Sequence, residues 1–323
     1  MNHESSVERL IKLAGEPDQP PPDARERARA ASEQAWRQML ARSAPPARRG
    51  RVYALVAALA AGVALVVWMA AWHAYDPAPP VVARVLTLEG SATAQRDGGS
   101  IALAMDAPLA SGTALETADG RLAMTFGGTL SLRVDRGTRL SFDAADQVTL
   151  LVGAVYVDSG GINAHSPLRI RTPAGEVSHI GTQFQVRVED EVTQIRVREG
   201  RVLIVSADAR RQDLATGDAL DVRGGEYRLQ HGLPSFGADW AWAAALAPAL
   251  EIENRPLSEF LAWLVREQGW RLHYATEDLQ EQAGQIRLHG SLAGLDAAAM
   301  LERVSLVTGV KLAVRQGVLW VGA

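Results

Sequence analysis

His179 is the residue whose type and neighbours come nearest to chemistry. It follows Ser178 in a region with several aspartates, the residue types of a hydrolytic Ser–His–Asp set. A serine nucleophile on a Gly-x-Ser-x-Gly elbow would complete the case, and the chain has no such motif. His165 and His179 do not stand at a metal-ligand spacing backed by carboxylates, so both read as surface or turn histidines. The chain has no cysteine, which excludes disulfides, thiolate metal sites and cysteine nucleophiles. Paired catalytic carboxylates and a phosphate-cradling glycine loop are also missing from the sequence. The residues therefore predict a protein that is not an enzyme, with no catalytic residue, metal or cofactor.

Residues suited to binding are easier to find. Trp36, Met39 and Leu40 fall at i, i+3 and i+4, so a helix would place them on one face. That helix is expected to start at an Asp23 N-cap, after the Pro20-Pro21-Pro22 break, and to run to about Ala41. A shorter helix over Val7 to Ala14 would precede it. A tail this polar buries no core of its own. It serves either as a charged anchor or as a helix that lays its Trp36 face into a partner's groove. In the C-terminal part, Trp263, Trp270 and Trp320 are further contact candidates, although each can equally serve packing.

The elements that would carry these residues begin with an uncharged run from Val52 to Trp72. As a helix it spans about 31 Å, close to the ~30 Å thickness of a bilayer's hydrocarbon. Arg48, Arg49 and Arg51 precede it and Asp76 follows, so the positive-inside bias places the N-terminus in the cytoplasm. Ala54, Ala58 and Gly62 form a small-residue row on one face, of a kind that can bring two helices close. The expected organisation is a cytoplasmic helical tail (1–51), one transmembrane helix (52–72) and a Pro-rich linker (73–83). An all-β domain (84–230), a linker helix segment (231–249) and a small α+β domain (250–323) follow. The tail carries net charge +3, which leaves -7 for the remainder of a chain of net -4, so nucleic-acid binding is not expected.

Between about Val81 and Arg228 the sequence alternates in short Val-, Ile-, Leu- and Thr-rich runs, such as Arg121 to Phe126 and Gln183 to Val188. A strand–Gly–strand unit recurs around Gly90, Gly153 and Gly200, which predicts a twisted all-β sandwich or a solenoid-like stack with sharp corners at glycine. The segment Thr172-Pro173-Ala174-Gly175-Glu176-Val177-Ser178-His179-Ile180-Gly181-Thr182-Gln183-Phe184, followed by the Glu199-Gly200 hairpin of Ile195 to Val205, resembles the core of the FecR domain. In that family a Thr-Pro-x-Gly segment leads to Gly-Thr-x-Phe and a Val-x-Glu-Gly-x-Val hairpin. The resemblance implies a single-pass regulator at the inner membrane. Its tail would control an extracytoplasmic-function sigma factor, and its periplasmic part would sense the signalling domain of a TonB-dependent outer-membrane receptor. Many members begin with a longer, Trp-richer cytoplasmic domain, whereas this tail has Trp36 alone. A membrane-anchored envelope protein that binds a glycan or a secretion component is the alternative.

From Leu250 onward the pattern reads βαβ-βαββ. Strand Glu251–Asn254, an apolar-striped helix from Leu257 capped by Gly269, and strand Trp270–Tyr274 come first. Strand Gln285–His289, a helix from Asp296 capped by Gly309, and strands Val310–Val314 and Val318–Val321 follow. This region resembles the secretin and TonB short N-terminal domain, whose open sheet edges can accept a partner strand. Trp240 and Trp242 mark a packed linker helix between the two domains.

Overall fold

A computed structural model describes residues 22–42, 60–66, 68–69, 79–160 and 168–322. It divides into two units, Met1–Pro77 and Ala78–Ala323. In the first unit, α1 (Pro22–Arg42) begins with a proline, whose missing N–H costs nothing at a helix start, and carries Asp23 in its first turn. It therefore starts one residue before the expected cap. Its polar surface is laced by Asp23–Arg27 at 2.9 Å and Glu33–Arg37 at 3.8 Å, both four residues apart. Residues 60–66 and 68–69 are helical. Among the described residues no helix is long and apolar enough to cross a membrane. Residues 52–59, 67 and 70–72 of the expected span lie outside the described residues, as does the expected helix from Val7 to Ala14.

The second unit is mainly β, with a C-terminal α+β part. Its first fifteen strands are β1 (Val81–Glu89), β2 (Ala92–Arg96), β3 (Gly99–Ala102), β4 (Pro108–Ala110), β5 (Thr113–Thr117), β6 (Arg121–Phe126), β7 (Leu130–Val134), β8 (Thr138–Ala144), β9 (Gln147–Asp158), β10 (Arg169–Thr172), β11 (Gly175–Glu189), β12 (Val192–Val205), β13 (Arg211–Ala215), β14 (Ala219–Arg223) and β15 (Glu226–Gln230). They form one connected sheet ordered β15-β14-β12-β11-β10-β9-β7-β6-β1-β4, with β13, β2, β3, β5 and β8 branching from this path. Alternation places Leu122, Met124, Leu132, Val148, Ile170, Phe184, Val186 and Ile204 in a single dry core.

The glycine-centred repeats prove to be bends inside long strands, not corners between separate ones. The first half of β9 pairs with β8 and β10, and its second half with β7 and β11. Gly153, at φ 94°, stands between the halves. β12 likewise pairs with β14 before Gly200 and with β13 after it. The register of β11 against β12 slips between Ile180 and Gln183, opposite Gly200. Only at Gly90 does the chain leave one strand, β1, before entering the next.

The linker helix is α2 (Ala238–Ala245). It turns Trp240, Trp242 and Ala243 inward, onto Ala123, Ala154 and Tyr156 of the sheet. Beyond it lie β16 (Arg255–Pro256), α3 (Leu257–Gln268), β17 (Arg271–Tyr274), α4 (Glu277–Gln285), β18 (Arg287–Leu288), α5 (Ala297–Thr308), β19 (Lys311–Arg315) and β20 (Val318–Gly322). The expected stripe of α3 is buried at Leu257, Phe260, Leu261 and Leu264, and Gly269 and Gly309 cap their helices at φ 68° and 73°. Three expectations change here. Glu251–Asn254 is not a strand: Asn254 turns at φ 57° and pairing is confined to Arg255–Pro256. The strand expected over Gln285–His289 shrinks to Arg287–Leu288, because Gln285 closes α4, a helix absent from the expected order. The strands also divide into two sheets, β16-β18 and β17-β20-β19.

Candidate interaction site

The residues that join the β domain to the C-terminal part are mostly charged and far apart in sequence, and the Arg133–Glu267 pair among them is buried. Arg133 of β7 is fully buried. It donates from Nη2 to Glu267 Oε2 at 2.7 Å and from Nη1 to the Ala243 carbonyl at 2.6 Å, with its guanidinium 5.1 Å over the Tyr156 ring. Arg198 of β12 donates to the Glu267 carbonyl at 3.0 Å, the Ser235 carbonyl at 2.6 Å and the Tyr156 hydroxyl at 3.3 Å. Burial drives the Tyr156 phenol up to about 12, so it stays neutral between the two cations. Trp242 Nε1 donates to Gln185 Oε1 at 2.8 Å. Arg266 of α3 reaches back to Asp158 and, at 2.9 Å, to Glu199. Burial alone would raise the Asp158 pKa, but Arg266 and the Gly160 amide hold it below its ordinary value. Sequence reading missed Arg133, Arg198, Arg266, Glu267 and Asp158.

The FecR-like residues build the sheet that presents this junction. Thr172 Oγ1 donates to the Gly175 carbonyl at 2.9 Å and accepts from the Ala174 amide at 3.2 Å, closing the turn at Pro173. Gly200 sits at φ 85°, and a Cβ there would collide with the Gly181 carbonyl on the neighbouring strand. The Thr182 amide donates to Ser159 Oγ at 2.8 Å, and Phe184 is fully buried in the core. Glu199 faces out of this bend to meet Arg266, so the same motif that shapes the sheet touches the C-terminal part.

His179 is neither a surface nor a turn residue. It lies within β11, half-buried beside Phe184 with ring centroids 5.5 Å apart, and neither ring nitrogen has a hydrogen-bond partner among the described residues. Burial lowers its pKa, which favours the neutral ring. His165 lies outside the described residues.

Of the expected contact residues, Trp36, Met39 and Leu40 share one face of α1, with Trp36 68% exposed. Ala54 and Ala58 lie outside the described residues, while Gly62 is helical, with no described atom within 4 Å of where a Cβ would stand. Trp263 and Trp270 come together on an apolar groove of about 1190 Å³, which Met300, Leu306, Leu312 and Val314 also line. Both tryptophans are half-buried and pack on the C-terminal core as well, so packing and contact coincide in them. Trp320 is 44% exposed on the opposite face of the sheet, its ring 4.2 Å from that of His273.

Buried charges thus tie the β domain to the small α+β part, beside an open apolar groove. Residues 113–203 match the family model described as FecR protein. Two crystal structures of a candidate anti-sigma factor from Parabacteroides distasonis ATCC 8503 are similar to this chain at 17% identity. They cover 64% of this chain and 96% of their own, with TM-scores of 0.34 and 0.33. No curated protein matches the chain significantly.

Proposed function

We propose that this protein is a FecR-type signal-transduction regulator and not an enzyme. Its tail, residues 1–51, stays in the cytoplasm and controls an extracytoplasmic-function sigma factor through the exposed face of Trp36, Met39 and Leu40. Residues 52–72 cross the inner membrane once. The unit from Ala78 onward faces the periplasm, and its C-terminal part, a relative of the secretin and TonB short N-terminal domain, meets the signalling domain of an outer-membrane receptor. The observation that carries this reading is the FecR match over 113–203, because that stretch supplies Arg133, Asp158, Arg198 and Glu199 to the junction with the C-terminal part.

Topology and partner are tested separately. Alkaline phosphatase fused after Ala323 should be active, and a cytoplasmic reporter at the same place inactive; the reverse pattern removes the membrane-crossing model. Full-length chain extracted in detergent should co-purify a sigma factor, and Trp36→Ala should reduce the yield at least about tenfold, the usual weight of a buried aromatic anchor. Equal recovery with and without Trp36 would take the tail face out of the mechanism.

A further inference from the structure

The geometry points to β19 as a docking edge for an extended segment of a second protein in which apolar and acidic residues alternate. The inference rests on reading the C-terminal part as the part that meets a partner, and it does not involve the tail. Among the described residues β19 pairs with β20 alone, so its outer side is an open ladder.

The turn between the two strands fixes which groups point outward. Gln316 and Gly317 have φ 49° and 71°, as in a two-residue type I′ turn. Such a turn makes the flanking Arg315 and Val318 a hydrogen-bonded pair, and bonded pairs then alternate along an antiparallel ladder. Ala313 with Trp320 and Lys311 with Gly322 are therefore the next bonded pairs in the observed register. Leu312 and Val314 keep their N–H and C=O groups for an incoming strand.

The side chains then select the strand. Leu312 and Val314 point to the face that carries the groove, beside Leu306 of α5, which is 85% exposed. Lys311 and Arg315 fall on the other face, in one surface with Arg271, His273 and Trp320. On that face β17, β19 and β20 contribute no carboxylate, and Arg271, Lys311 and Arg315 form no ion pair with a described residue. A strand added along β19 would set one row of its side chains against the groove and the other beside these cations. Apolar residues suit the first row and acidic residues the second. A second copy of this edge is disfavoured, because pairing it with itself brings cations opposite cations.

The test uses the full-length chain in detergent and a fluorescein-labelled peptide of about seven residues, long enough for one strand, alternating Val and Glu. Binding read by anisotropy should exceed that of a Val–Lys alternating peptide by about tenfold or more, and the double variant Lys311→Glu, Arg315→Glu should reverse the preference. Val314→Pro removes an outward N–H while sparing the ladder to β20, and should weaken binding at least about tenfold; Val314→Ala keeps that N–H and should weaken it less. Equal binding of the two peptides, or none at about millimolar concentration, overturns the proposal. So does full binding by Val314→Pro accompanied by loss in Leu306→Glu, which would mean a helix in the groove. Self-association of the peptide-free chain, abolished by Val314→Pro, would assign the edge to a second copy and overturn it too. A negative peptide result leaves the sigma-factor assay untouched, and loss of sigma-factor binding leaves this result standing.

Discussion

Arg133 and Glu267 meet out of water, so removing either strands a charge the protein has already desolvated. Glu267→Ala is expected to cost about 3–5 kcal/mol in urea unfolding of the full chain, whereas the apolar pair Arg133→Met with Glu267→Leu should recover most of that loss. His179 gives a second, pH-dependent outcome. Its folded pKa lies below the ordinary 6.5, so the unfolded chain takes up the proton first as pH falls. Stability therefore declines as pH drops below 6.5, and His179→Phe should flatten that decline in thermal melts between pH 7 and about 5. None of this was legible in the sequence. Arg133 stands in Leu-Ser-Leu-Arg-Val, where alternation reads it as one more polar position, and its carboxylate partner is 134 residues away. The glycines at Gly90, Gly153 and Gly200 were legible as turning points because a need for left-handed backbone is local.

Gly200 shows how a strand can turn without ending. Gly200→Ala would force a side chain into the left-handed region and against the Gly181 carbonyl, with an expected loss of about 1–3 kcal/mol or more. A matched Gly224→Ala change, where φ is 54° but the space is open, should cost less; the difference between the two melts isolates the steric part. Short alternating runs broken by glycine were readable as β structure. Their continuity through Gly153 and Gly200 was not, because it depends on which neighbours each half pairs with. α4 escaped for the opposite reason: it buries only Ala283, so no apolar stripe marks it. The available signal was Thr276, an N-cap whose hydroxyl accepts from the Leu279 amide at 3.3 Å, followed by Glu277 and Asp278 in the first turn.

Across the whole unit from Ala78 to Ala323, Arg266 is the tie with the clearest response to acid. Asp158 is held below its ordinary 3.8, so its contribution is complete above that value and fades as pH falls through the lower, folded one. Asp158→Asn should lower stability at neutral pH and show a weaker loss than the natural chain as pH drops below 3.8. Differential scanning calorimetry from pH 6 to 3 compares the two. The sequence outlined a β region, a linker with two tryptophans and an α+β end, but not their union through α2 and α3, since long-range salt bridges leave no periodic trace. The bent strands also dictate when this chain can fold. β9 completes its ladder only after the residues at Gln183 to Val188 are available, and the core runs from Val82 to Val222. An emerging chain that stops short of Val188 therefore offers a raw, aggregation-prone template along β9. Its assembly should be slow, dominated by distant pairings, and in need of a holdase at whatever exit delivers it.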